Sequence, residues 1–165
     1  MTKTLLILRH AKSSWKDTTL ADHDRPLNKR GKRDAPRIGH LLRRENLVPD
    51  LIISSTARRA HDTVELVVKH ADCDGQVVWA SSLYMGGYLA YLNSVRTVED
   101  DVETLMVVGH NPDLEGLVTV LTGLEEVMPT AALARIELPV DRWSDIQEGS
   151  EYALVNLWRP KEMDD

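Results

Sequence analysis

Two histidines stand out for the residues that flank them. His10 directly follows an arginine in Arg9-His10-Ala11-Lys12, and His110 sits in the turn Gly109-His110-Asn111-Pro112. A third segment, Ser54-Ser55-Thr56-Ala57-Arg58-Arg59, brings two more arginines. A planar guanidinium makes paired, charge-assisted hydrogen bonds to phosphate oxygens, so Arg9 and Arg58 are candidates for clamping a phosphoryl group. A neutral imidazole beside such a clamp can attack phosphorus in line and form a phosphoramidate that water then hydrolyses. The neighbouring cations would spread the charge of the transferring group and disfavour protonation of His10. Adjacent helical residues point in different directions, so one of Arg58 and Arg59 should face sheet or solvent, and we take Arg58 as the clamp.

Each segment begins where a short apolar run ends. Leu5-Leu6-Ile7-Leu8, Leu51-Ile52-Ile53 and Leu105-Met106-Val107-Val108 are nearly continuous, as strands covered on both faces should be. Strands are expected at 4–9, 51–54, 77–80, 105–109, 132–138 and 152–157, with helices at 28–44, 56–70, 87–98 and 112–121. That alternation predicts an α/β fold: a single-domain three-layer α/β/α sandwich with a mixed, mostly parallel sheet. The last two strands, interrupted by Arg135, Glu137 and Asn156, belong nearer an edge and suit antiparallel pairing. Ligands bind outside the carboxyl ends of parallel strands, so the three segments can converge. Ser55 or Thr56 and then Asn111 suit helix N-caps, Pro112 suits the first helical position, and helix N-termini attract anions, which adds Asn111 to the phosphate contacts. Pro36 should kink or restart the first helix near Asp34. The stretch 12–27 is too long for an ordinary connection of about 2–6 residues, which marks it as functional.

The chain has 165 residues, 42% of them hydrophobic, enough for one domain (1–165) with a real core. Apolar runs such as Tyr88 to Leu92 are far too short for a membrane span of roughly 18 residues, so no membrane partner is expected. Cys73, the lone cysteine, cannot form an internal disulfide, which fits a reducing, cytoplasmic setting. The formal charge of −6 argues against a nucleic-acid partner, yet residues 1–59 carry 14 Lys and Arg against 6 Asp and Glu. Within that cationic third, Lys29, Arg30, Lys32, Arg33 and Arg37 read most simply as a solvated helix face. Met85, Trp79 and Trp158 read as core or rim filling. His61-Asp62 hints at a metal phosphohydrolase, but no His-x-x-x-His or cysteine cluster supports it, so neither metal nor cofactor is expected.

Four segments in order, Arg9-His10-Ala11-Lys12-Ser13-Ser14-Trp15, Asp24-Arg25-Pro26-Leu27 followed by Arg30-Gly31, Ser54 to Ala60, and Val108-Gly109-His110-Asn111-Pro112, resemble the histidine phosphatase superfamily. The resemblance is to its small SixA-type phosphohistidine phosphatases, and it implies a phosphoglycerate mutase-like fold. It further implies that His10 is a nucleophile that becomes transiently phosphorylated, and that Arg9, Arg58 and His110 complete the phosphate pocket. The substrate implied is a phosphohistidine-bearing protein, such as a phosphotransfer protein. Two departures from the larger mutase-like relatives matter. Where they carry Arg-His-Gly-Glu this chain has Ala11 and Lys12, and where they often place a glutamate proton donor it has Leu83-Tyr84-Met85. A phosphate ester needs its alkoxide protonated as it leaves, whereas imidazole is a better leaving group, so the gap favours phosphohistidine. Asp17, Asp22 or Asp24 in the long loop are the carboxylates left to supply an acid. Alternatives are a small-molecule phosphomonoesterase acting on a sugar phosphate or nucleotide with the same nucleophile, and a non-catalytic phosphate-binding regulatory module.

Overall fold

Leu5 and Ile7 face one way from the first strand and Leu6 and Leu8 the other, and all four are fully buried. Such a strand must lie in the middle of a sheet covered on both sides. In the computed structural model, which describes residues 2–163, it does. The strands are β1 (Lys3–Arg9), β2 (Leu51–Ser54), β3 (Gln76–Trp79), β4 (Thr104–Gly109), β5 (Leu133–Leu138) and β6 (Ala153–Trp158). The helices are α1 (Lys29–Arg44), α2 (Arg58–Ala71), α3 (Tyr88–Arg96) and α4 (Asp113–Thr122). One six-stranded sheet runs β3-β2-β4-β1-β5-β6. The β1–β4, β2–β4 and β2–β3 pairs are parallel, and β5 and β6 are antiparallel additions on one side, as their mixed composition suggested.

Two cores follow from the pleat. Ile38, Leu42, Val64 and Val67 of α1 and α2 pack with Leu6, Leu8, Met106 and Val108 on one face, while Leu92, Val95, Leu117 and Leu121 of α3 and α4 pack with Leu5, Ile7, Leu105 and Val107 on the other. The chain is a three-layer sandwich. No helix among the described residues is long and apolar enough to cross a membrane.

Register places the chemistry. Arg9 pairs with Gly109 and Ser54 with Val108, so His10, Ser55 and His110 leave their strands at one level. The backbone then continues the ladder by one step. His10 N–H donates to the Gly109 carbonyl and Ser55 N–H to the Val108 carbonyl, each at 3.0 Å.

Three local expectations change. Pro36 does not break α1, which runs unbroken through it. The carbonyl that loses its helical partner belongs to Lys32, an exposed residue whose backbone water can satisfy. Helix α2 starts at Arg58 with Ala57 at the cap position, and Ser55 Oγ accepts from Ala57 N–H instead of capping the helix interior. Helix α4 starts at Asp113, with Pro112 at the cap after a cis Asn111–Pro112 bond, while Asn111 Oδ1 still accepts from Glu115 N–H at 3.2 Å.

Gly109 is required by a neighbour. A Cβ there would lie 1.8 Å from Tyr91 Oη, and that buried hydroxyl accepts from His110 N–H and donates to the Leu83 carbonyl. Gly109→Ala should therefore destabilise the protein by about 1–3 kcal/mol or more through overpacking. Urea denaturation measures this, and an unchanged midpoint would mean that Tyr91 yields without cost.

Candidate functional site

The His10 ring is almost wholly buried, and its Nδ1 lies 2.8 Å from the Ala11 carbonyl oxygen. A carbonyl can only accept, so Nδ1 carries the ring proton and Nε2 keeps a free lone pair. The loop holding that carbonyl is pinned: Ala11 N–H donates to Thr63 Oγ1 at 2.9 Å, and Thr63 in turn donates to the Arg59 carbonyl at 2.7 Å. Burial, followed by the charges of His110, Arg59 and Arg9, outweighs the Ala11 hydrogen bond and pushes the His10 imidazole down to about 3. Near neutral pH it is an unprotonated base.

His110 stands 5.1 Å from His10, centroid to centroid. Burial first and then Arg59 lower it to about 4. Its Nε2 lies 2.7 Å from Ser55 Oγ. With the serine proton donated to Nε2, the ring carries its own proton on Nδ1 and becomes a donor there.

Arg59, not Arg58, completes the cluster. Arg58 is exposed and its guanidinium lies 3.7 Å from Asp62, whereas Arg59 is buried and its charge acts on both histidines. The assignment of Arg58 to the clamp is therefore corrected, and its cause is helical phase. Counting back by fours from Val67 through Thr63 reaches Arg59 on the buried face, while Arg58 continues through Asp62 to Glu65 and Lys69 on the wet one. That periodicity is fixed by spacing alone and was available in the sequence.

The arrangement leaves buried donors in excess. Arg9 Nε, Arg59 Nε and His110 Nδ1 are buried with no hydrogen-bond partner in the described chain, although Arg9 Nη1 donates to the Met128 carbonyl at 3.1 Å. Buried polar groups are ordinarily satisfied, so three unpaired nitrogens beside one imidazole lone pair mark a place for an acceptor-rich anion. Tetrahedral phosphate, with no donors when fully ionised, fits that chemistry.

The Asn111 side chain also holds the turn: its Oδ1 accepts from Glu115 N–H, and its Nδ2 donates one hydrogen to the Met128 carbonyl at 2.8 Å. Sequence reasoning also passed over Tyr84 and left Asp22 among three candidates. The cavity of about 390 Å³ is lined by Asp22, Arg59, Tyr84, Met85, His110 and Asn111, with Pro112 and Asp113. Met85 therefore sits on the rim of the site. Asp22 Oδ2 accepts from Tyr84 Oη at 2.7 Å and from Arg59 Nη2 at 3.0 Å, and Oδ1 accepts from Arg25 Nε at 3.1 Å. Together these donors, Tyr84 foremost, pull the Asp22 carboxyl down to about 2. His61, Asp62 and Glu65 bring potential ligand atoms within 4.8 Å of one another, but they lie on the wet side of α2, where Asp62 pairs with Arg58 and His61 stacks on Trp79.

With this geometry in place, the comparisons with known proteins fall into line. Residues 5–79 match the model of the histidine phosphatase superfamily, branch 1. A protein of Mycobacterium tuberculosis is 34% identical across 93% of this chain and 100% of its own. The chain belongs to the histidine phosphatase superfamily, and it is a phosphatase. Within that family it is similar over nearly its whole length to the SixA type. The structure from Agrobacterium tumefaciens assigned as the phosphohistidine phosphatase SixA superposes with a TM-score of 0.82 at 27% identity, covering 96% of this chain and 98% of that one. Its counterpart from Nakamurella multipartitia gives 0.82 at 29% identity, covering 97% of each.

Both histidines titrate lower in the folded protein than the roughly 6.5 of an unfolded chain, so the unfolded state binds more protons between. Stability should be complete above about pH 6.5 and decline as pH falls toward 4, by up to about 1.4 kcal/mol per pH unit for each histidine. Denaturation midpoints at pH 7 and 4.5 would record the decline, and His110→Asn should make it shallower. Equal slopes in the two proteins would show that His110 is not responsible.

Proposed function

We propose that the protein hydrolyses phosphohistidine carried on another protein, through a phosphoenzyme formed on His10. The observation that carries the reading is the state of Asp22. A carboxyl held ionised down to about 2 cannot hand a proton to a departing alkoxide, but it can accept a hydrogen bond from an imidazolium N–H. A substrate phosphohistidine protonated at its distal nitrogen leaves as neutral imidazole and needs no acid from the enzyme.

His10 Nε2 donates its lone pair to phosphorus as the substrate P–N bond breaks and its electron pair returns to the leaving ring. Arg9, Arg59 and His110 hold the phosphoryl oxygens, and their unpaired nitrogens neutralise charge as it redistributes. The phosphorylated His10 ring keeps its Nδ1 proton on the Ala11 carbonyl and is formally cationic. Water then attacks phosphorus, the P–Nε2 pair returns to His10, and dihydrogen phosphate departs carrying both protons of the water. Transfer between two imidazoles is close to thermoneutral, so the scaffold need only position and desolvate. The chain acts here as one domain, 1–165, in a reducing cytoplasm, with no cofactor entering either step.

Asp113 favours a second reading. It is the other carboxylate of the lining, with Oδ2 accepting from Gly87 N–H at 3.1 Å, and it could protonate the alcohol of a small phosphate ester. Asp113→Asn should then abolish ester hydrolysis while sparing phosphohistidine. A panel of phosphohistidine peptides and sugar phosphates at equal concentration separates the readings.

Quenched reactions with radiolabelled phosphohistidine peptide should trap an acid-labile phosphoenzyme that His10→Ala abolishes. Arg59→Ala should lower kcat/KM by roughly 10²–10³-fold, as for loss of a charge-stabilising donor, while Arg58→Ala stays within a few-fold. Phosphatase activity persisting in the His10 variant would refute the mechanism.

A further inference from the structure

The 12–27 loop does more than carry Asp22. On its outer side it forms one wall of a second cavity of about 500 Å³, whose other wall is the first turn of α1. Ser14, Lys16, Asn28, Lys29, Arg30 and Lys32 line it. Because β1, β2 and β4 run parallel and α1 returns from the end of β1, this helix start lies at the same end of the sheet as His10 and His110.

The lysines of this groove lack internal use. Arg30, Arg33 and Arg37 converge on the buried Asp34, but no carboxylate among the described residues pairs with Lys16, Lys29 or Lys32. Their placement also runs against helix stability. A helix N-terminus is already positive and favours acidic residues, as α4 shows with Asp113 and Glu115, yet the first turn of α1 holds no acidic residue. Lys29 and Lys32 thus stand where the backbone dipole already repels them, and Lys16 of the loop faces the same cavity, concentrating positive potential in one concavity. The rest of the chain does the opposite, with 6 Lys and Arg against 20 Asp and Glu over residues 60–165.

Groove and pocket are mechanically joined. The Arg25 guanidinium donates to Ser13 Oγ at 2.8 Å and to the Ser14 carbonyl at 3.3 Å on the groove side, and its Nε reaches Asp22 on the pocket side. The Trp15 ring lies on that guanidinium at 3.5 Å. Gly31 completes the fit, since a Cβ there would meet the Lys12 carbonyl oxygen at 2.2 Å. The wall is therefore built and held, not a chance meeting of flexible side chains.

We propose that this lysine groove docks an acidic stretch of the phosphorylated protein whose phosphohistidine enters the pocket. The proposal rests on the phosphohistidine-protein reading above and adds to it what kind of surface the substrate presents. Aspartate or glutamate side chains beside the phosphohistidine would meet Lys16, Lys29 and Lys32 while the phosphoryl group reaches Arg9 and Arg59. A small phosphorylated molecule confined to the pocket would not reach the groove.

The test compares two phosphohistidine peptides that differ only in carrying three aspartates or three lysines beside the modified residue. The full chain and its Lys16→Glu/Lys29→Glu/Lys32→Glu variant are assayed on both, with p-nitrophenyl phosphate as a small control. Acidic residues suit a helix N-terminus, so the variant should melt no lower than the parent. The expected result is about a tenfold or larger kcat/KM preference for the aspartate peptide at low salt, expressed in KM and shrinking at about 0.5 M salt. The variant should lose or reverse that preference while hydrolysing the small control at the parental rate. Equal rates on both peptides with the parent chain, or a preference that survives in the variant, would overturn the docking proposal and leave the phosphohistidine reading intact. Stronger inhibition by a single-stranded oligonucleotide than by a free aspartate peptide would overturn it too. Failure of the parent chain on both peptides, with the small control still cleaved, would remove the underlying reading and the docking proposal with it.

Discussion

Arg9, Arg59, His10 and His110 share a corner from which water is largely excluded, and four positive charges cannot coexist there. Desolvation and mutual repulsion fall on the groups that can give up a proton, so both imidazoles are neutral and both guanidiniums remain charged. That division of labour is what gives the site its chemistry. The same burial that keeps His10 unprotonated leaves nitrogens of Arg9, Arg59 and His110 unpaired, and a phosphoryl group answers both conditions at once.

Much of the surrounding structure serves to keep that corner in place. The parallel register of β1 against β4 sets the two histidines side by side, Ala11 fixes one tautomer, and Ser55 and Tyr91 hold His110 from its side chain and backbone. Thr63 ties the loop after β1 to α2, so His10 and Arg59 cannot drift independently. Asp22 offsets part of the cationic excess at the mouth, where its two oxygens gather Arg25, Arg59 and the Tyr84 hydroxyl. Phosphate contact by Arg59 through its unpaired Nε need not disturb the bonds its other nitrogens make to Asp22.

Charge is distributed unevenly at a larger scale as well. Acidic residues dominate the chain beyond α1, and cations collect on the elements that border the end of the sheet carrying His10 and His110. On the proposed docking, opposite fields on one small protein would orient an anionic partner as it approaches, because the acidic remainder would repel what the lysine groove attracts. Orientation matters more for a phosphorylated protein than for a small ion, since a single side chain must find the pocket.

What could be seen in the residues alone followed from short-range rules. Continuous apolar runs gave β1, β2 and β4 as two-faced central strands, and polar interruptions marked β5 and β6 as antiparallel, so the layer order and the convergence of His10, Ser55 and His110 were legible before any coordinates. Helix phase was legible as well: Arg59, Thr63 and Val67 stand four apart on one stripe, while Arg58 falls with Asp62, Glu65 and Lys69, a relation that spacing alone fixes. The roles of Asp22 and Tyr84 were not, because they lie 62 residues apart in the chain and meet through a loop without periodicity. Periodicity is set by backbone geometry that every residue shares, and so it is written in the sequence. Which carboxylate faces which guanidinium, and hence which proton is held or released, depends on distances of a few ångströms across elements that only the folded chain brings together.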